Sequence, residues 1–173
     1  MKNLIIVSFI ALGLPTAYAQ NVTLNVKLKP IQTLVVNSGQ RTVDLEYNSK
    51  EDYKNGVSKT NADHLNIYST GGFQVNVKSA TATMVNGTKK IDANGIQLTV
   101  SAGSDAVAGA TYLSNVKLSN AETLLVSSTA GGVDKKISIA YKGAGGDAYL
   151  DNYIATQTPT IYTTELTYTM ISQ

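Results

Sequence analysis

Few side chains in this sequence are of the kinds that carry out chemistry. His64 is the single histidine, and neither cysteine nor tryptophan occurs. Asp63 precedes the histidine, with Ser58 and Ser69 close by in sequence, so a nucleophile, a base and an orienting acid are present as residue types. A Ser/His/Asp site needs the acid to hold the imidazole while the serine reaches its other nitrogen. Neighbours on a strand point to opposite faces, which places Asp63 badly for orienting His64, and the group reads as a polar strand entrance. The twelve acidic residues are scattered through turns and define no carboxylate pair of the kind that glycoside hydrolysis uses. Asp147, Asp151 and Asn152 share one glycine-rich stretch and could offer oxygens to calcium, but their spacing is not that of an EF-hand loop, and a solvated loop is the simpler reading. Without thiols there is no thiolate zinc site, thiol catalysis or disulfide scaffold. No catalytic residue, metal ligand or cofactor is assigned, and the chain reads as a non-enzyme.

Tyrosine is the remaining side chain with recognition chemistry. Of the ten tyrosines, Tyr141, Tyr162 and Tyr168 fall on expected inner faces, as core residues whose hydroxyls reach a rim. Tyr149 and Tyr153 lie in the loop with Asp147 and Asp151 and are the candidates for an exposed contact, for example with a glycan. Two Asn-x-Thr sequons, at Asn21 and Asn86, matter only in a host that glycosylates them.

The elements that must position these residues begin after a leader. Lys2, the apolar residues 4–14 and the small-residue site Ala17-Tyr18-Ala19 form a cleavable secretory signal over residues 1–19. A membrane anchor needs about twenty apolar residues, and Pro15 ends this run too early. The expectation is export to the periplasm, the cell surface or the medium, with no membrane span after processing. Loss of Lys2 lowers the formal net charge from +2 to +1, which argues against a nucleic-acid partner. Residues 20–173 have the length of one domain.

Within that domain apolar and polar residues alternate in short runs, the signature of half-buried strands. Val22, Leu24, Val26 and Leu28 share one face, and Pro30 interrupts the run. Further strands are expected over residues 31–36 and 42–47, then a long polar connection over 48–64 with a helical turn, crossing between sheets. Residues 65–69 and 73–79 follow, joined at Gly71-Gly72 as a tight hairpin. Turns at Asn86-Gly87 and Asn94-Gly95 precede Ile96, Leu98 and Val100. Strands over 112–118, 123–128 and 135–141 come next, and a last one over 162–171 turns Tyr162, Leu166, Tyr168 and Met170 inward. Nine or ten such strands make an antiparallel β-sandwich the most economical architecture, a closed barrel being the alternative.

Both ends of the mature chain are therefore strand-forming. An N-terminal strand either pairs within its own domain or completes a neighbour's sheet by β-strand addition. The alternating start, the stretch Leu65-Asn66-Ile67-Tyr68-Ser69-Thr70-Gly71-Gly72-Phe73-Gln74-Val75-Asn76-Val77 and the closing Tyr162-Thr163-Thr164-Glu165-Leu166-Thr167-Tyr168-Thr169-Met170 resemble bacterial fimbrial subunits and pilin-like adhesion domains. The resemblance implies an incomplete immunoglobulin-like sandwich, donor-strand exchange aided by a periplasmic chaperone, and a surface fibre for adhesion. Val22, Leu24, Val26 and Leu28 would then be donor residues, and Leu166, Tyr168 and Met170 would border the acceptor groove. The chain departs from many such subunits in lacking a disulfide and in ending Ile171-Ser172-Gln173. The alternative is a secreted monomer that binds a glycan or surface partner, and a metal-assisted hydrolase comes third.

Overall fold

The two-residue period becomes buried and open faces of extended backbone. Phe73, Val75 and Val77 are at most 1% exposed, while Gln74, Asn76 and Lys78 between them are half-buried. The computed structural model describes residues 19–173; the leader expected over residues 1–19 lies outside the described residues except for Ala19.

The elements in chain order are β1 (Gln32–Val36), α1 (Lys50–Asn55), β2 (Ser58–Ser69), β3 (Phe73–Ser79), β4 (Thr83–Asn86), β5 (Lys89–Asp92), β6 (Gln97–Ala102), β7 (Thr111–Tyr112), β8 (Val116–Lys117), β9 (Thr123–Ser128), β10 (Gly132–Lys142) and β11 (Leu166–Ser172). One sheet has the order β1-β2-β10-β6-β8 and the other β11-β3-β9-β7, with β4 and β5 as a separate hairpin. Every pairing is antiparallel. Leu65, Ile67, Leu98, Ile137 and Ile139 of the first sheet meet Phe73, Val75, Val77, Leu125 and Val126 of the second in one core. The fold is an all-β antiparallel sandwich, as the alternation indicates.

Three connections differ from the expectation. Gly71-Gly72 is not a hairpin turn, because β2 and β3 lie in different sheets. The chain arches across the roughly 10 Å between sheet faces, and a second arch over residues 129–131 carries β9 back to β10. The arches touch: a Cβ on Gly131 would collide with the Ser69 carbonyl oxygen, and one on Gly72 would come within 3.0 Å of the Ser128 carbonyl oxygen. Each is braced alike, Ser69 Oγ donating to the Gly71 carbonyl (2.8 Å) and Ser128 Oγ to the Ala130 carbonyl (2.9 Å).

The connection expected over residues 48–64 ends at residue 57 and returns to the sheet that holds β1. Its polar end, Asn61 to His64, is part of β2. That run is accommodated by a bulge against β10, whose partners step from Asn61 to Leu65 while β10 advances only from Ile139 to Ile137. Asp63 sits at the bulge with φ of 50°, and its N–H donates to Ser138 Oγ in place of a ladder partner. As a result His64 and Leu65, although consecutive, are both buried. The strand expected over 112–118 is divided into β7 and β8, which belong to different sheets.

Candidate functional site

Residues 20–30 keep the strand-like alternation but have no strand partner among the described residues. Val22, Leu24, Val26 and Leu28 are 92%, 86%, 78% and 88% exposed. No backbone–backbone hydrogen bond among the described residues involves this segment, and regular pairing begins only at Gln32. Ile31 anchors its base, accepting at its carbonyl from the Thr70 N–H (3.1 Å) and donating its own N–H to Thr70 Oγ1 (2.9 Å). Pro30 just before it has no N–H with which to extend the ladder.

An opposite deficit lies along one side of the sandwich. β11 and β1 are edge strands of their two sheets and approach each other across the core. Among the described residues β11 pairs only with β3, from Leu166 opposite Ser79 to Ser172 opposite Phe73. Its Leu166, Tyr168 and Met170 are half-buried against the core. Residues 42–47 continue from β1, and Val43, Leu45 and Tyr47 alternate inward with Asp44 and Glu46 outward. Val43 and Leu45 pack on the same core, yet residues 41–47 make no backbone–backbone hydrogen bond among the described residues. The strand expected over 42–47 thus has the side-chain pattern of a strand without a ladder. This open edge consists of one strand with a free side, β11, and one extended segment with both sides free.

A buried polar chain holds β11 despite its single partner. Gln40 Nε2 donates to the Ala62 carbonyl (2.9 Å), so its Oε1 faces His64 Nδ1 (3.0 Å) as acceptor, and that nitrogen carries the proton. His64 Nε2 then accepts from the Tyr141 hydroxyl (2.8 Å), which is in turn hydrogen-bonded to the Tyr168 hydroxyl. Asn61 closes over Nδ1 at 3.3 Å. Burial lowers the His64 pKa and raises Tyr141 to about 12 and Tyr168 further, so all three are neutral at physiological pH. The chain therefore ties β2 and β10 of one sheet to β11 of the other. His64 is a structural cross-sheet link.

The remaining candidates are dispersed. Asp63 turns its carboxylate to the Ser104 N–H (2.7 Å) and hydroxyl (2.6 Å), which hold its pKa below the usual value. Ser58 Oγ donates to the Tyr141 carbonyl and Ser69 Oγ to the Gly71 carbonyl, so neither approaches His64. Asn152 donates to the Lys90 carbonyl (2.7 Å), and Tyr162 donates its hydroxyl to the Asn152 carbonyl (2.6 Å). Tyr153 is 56% exposed. Tyr149, expected to be an exposed contact, is instead drawn under Tyr47, ring centroids 5.2 Å apart and edge-on, with its hydroxyl buried.

Tyr47 also meets Tyr53 of α1 (5.3 Å) and donates to the Ala144 carbonyl (2.7 Å). A shallow cleft of about 550 Å³ opens here between Tyr47, Tyr53, Lys54, Asp147 and Leu150. No spacing in the sequence joins Tyr47 to the loop that carries Asp147, and this cleft was not foreseeable from it. No protein-family model matches the chain, and no curated protein matches it at a significant level.

Proposed function

We propose that this is an exported, non-enzymatic subunit of a surface fibre, an immunoglobulin-like sandwich that lends residues 20–30 to a second copy by β-strand addition. The observation that carries the reading is a matched surplus and deficit in one chain. Four aliphatic side chains at two-residue spacing stand 78–92% exposed without a partner, while β11 and residues 42–47 lack one along the same side of the sandwich. Fully burying such a side chain is worth about 1.5–3 kcal/mol, and the four act together with the main-chain hydrogen bonds of an added strand against the cost of ordering the segment. Donor and acceptor are different surfaces, and such contacts build open, head-to-tail assemblies. Adhesion and the help of a periplasmic chaperone follow from the fimbrial likeness of the sequence.

The purified mature protein, applied without boiling to a denaturing detergent gel, is expected to run as a ladder that collapses to a single band on heating. Removal of residues 20–29 is expected to abolish the ladder and leave the circular dichroism of the sandwich in place. A single monomer band at all temperatures, with residues 20–30 resistant to protease, would refute the fibre. The alternative, a monomeric glycan binder, draws on the Tyr47/Tyr53 cleft, and retention on a glycan column that is lost in Tyr53→Ala would favour it.

A further inference from the structure

We infer that the charges bordering the open edge set the direction in which the strand of a second copy enters, and so choose an open fibre over a closed pair. The inference rests on the reading of residues 20–30 as a donated strand. Its ground is where the two sets of charge sit. The sandwich has an arch end, where Ile31 meets Thr70 and the Gln173 N–H donates to the Gly72 carbonyl (3.0 Å). At the opposite end lie α1 and the loop after β10, which is pinned there by Gly143 N–H to the Val57 carbonyl (2.9 Å). Residues 20–30 leave from the arch end.

β11 runs toward the arch end, since Ser172 lies opposite Phe73 and Leu166 opposite Ser79. Residues 42–47 run the other way, from Gln40 beside Ala62 to Tyr47 beside Ala144. Asp44, Glu46 and Glu165 are therefore all in the half of the open edge remote from the arches, and all three are on outward faces. The flanking side chains in the arch half, Thr33, Ile171 and Ser172, carry no charge. On the extension the outward positions are Thr23, Asn25, Lys27 and Lys29, so both cations lie at its base. The ion pairs among the described residues are Lys78–Glu122 and Lys135–Asp105, so none of the three acids and two lysines is in an ion pair among them, and Glu46 Oε2 accepts from Asn48 Nδ2 (3.3 Å). α1 adds two charges of each sign, and the exposed Lys59 of β2 and Lys142 of β10 lie at the same end but not on β11 or residues 42–47.

Two entries are geometrically open. In a head-to-tail stack the extension comes in from the remote end, antiparallel to β11, and Lys27 and Lys29 lie between Asp44, Glu46 and Glu165. Opposite charges on adjacent strands attract at this spacing. In a reciprocal pair, with arch ends facing, the strand runs parallel to β11 and its lysines lie in the neutral half. The first arrangement stays open and the second closes as a dimer, and charge complementarity favours the first.

The test is a charge swap in the full mature chain, followed by light scattering and unboiled detergent gels. Lys27→Glu with Lys29→Glu, or separately Asp44→Lys with Glu46→Lys and Glu165→Lys, is expected to slow polymerisation at least about ten-fold at low salt. All five substitutions together are expected to restore it, and high salt is expected to narrow the differences. All positions are exposed, and unchanged circular dichroism of each monomer verifies that folding is intact. If the wild type polymerises and both half-swaps match it, charge does not direct entry and the inference fails, while the fibre reading stands. If the half-swaps polymerise slowly and the full swap does not recover, the pairing is equally refuted. A wild type that forms no polymer overturns the fibre reading itself, and this inference with it.

Discussion

Residues 22–28 and β3 have the same grammar and opposite fates. Each alternates aliphatic or aromatic side chains with polar ones, and each is bounded by a residue that interrupts strand pairing or permits a turn. Yet Phe73, Val75 and Val77 are at most 1% exposed, while Val22, Leu24, Val26 and Leu28 are 78% or more. β3 has a ladder on both sides, to β11 and β9; residues 22–28 have none among the described residues. The period fixes that a segment is extended and has one greasy face. It says nothing about which surface covers that face, and in the first segment no described residue of the chain supplies a strand to cover it.

The largest contrast is expected in access to protease. Monomer treated with trypsin should be cut after Lys27 at least about a thousand times faster than after Lys78 in β3, because cleavage there requires unfolding of a core strand. Assembly into polymer should abolish most of that difference by covering the extension. Comparable rates at the two lysines in the monomer would break the contrast.

Substitution sharpens the same comparison in free energy. Phe73→Ala should cost the monomer about 3–5 kcal/mol, the usual loss for truncating a buried aromatic. Leu24→Ala, at an exposed position, should stay within about 0.5 kcal/mol. Chemical denaturation of monomer reads both, and a large loss from Leu24→Ala would return residues 22–28 to their own core. A smaller pair probes how β11 is held. Tyr141→Phe strips the donor from His64 Nε2 and leaves a buried acceptor unsatisfied, worth about 1–3 kcal/mol. Tyr168→Phe leaves the Tyr141–His64 bond intact and should cost about 0.5–1.5 kcal/mol. The reverse order would mean that the chain is anchored from β11 and not from β2.

What the sequence made legible follows from that period. β3 and β6 were readable because apolar inward residues alternate with polar outward ones; β9 and β10 were readable from their apolar content, although β9 buries Leu125 and Val126 together and β10 buries Ser138 between Ile137 and Ile139. Gly71-Gly72 misled because glycine marks a place where backbones come close as readily as a hairpin turn, and here the approach is between two arches. The run Asn61 to His64 read as loop because nothing local reports that a bulge at Asp63 will bury two consecutive side chains. For the open edge, Leu166, Tyr168 and Met170 could be named from alternation, whereas the opposite rim could not. Residues 42–47 have an ordinary strand pattern, and only the missing ladder distinguishes them. The two acids on their outer face, Asp44 and Glu46, were visible in the sequence, but their relation to Lys27 and Lys29 depends on which end of the sandwich each occupies.

The subtlest expected effect is a pH dependence confined to the folded sandwich. Burial depresses the pKa of His64 in the native state, whereas the unfolded chain titrates near 6.5. Below that value the unfolded state takes up a proton that the native state refuses, so stability falls as pH drops, by at most about 1.4 kcal/mol per pH unit, until the depressed native pKa is reached. Above the unfolded pKa the histidine contributes no slope. The partners facing the ring from every side are neutral: Gln40, Asn61, Tyr141 and Tyr168. Protonation would also turn Nε2 from acceptor to donor and force the Tyr141 hydroxyl to reverse, which loosens the link to β11. Denaturation midpoints of wild type and His64→Gln between pH 7.5 and 4.5 measure this, and the variant should lose the part of the acid slope that begins near pH 6.5. Trypsin cleavage after Lys27 in the same monomers, corrected for the pH response of the enzyme, should not change over the range where the native state persists, since the extension shares no contact with the histidine. A parallel acid response in both would mean that the extension is coupled to the core.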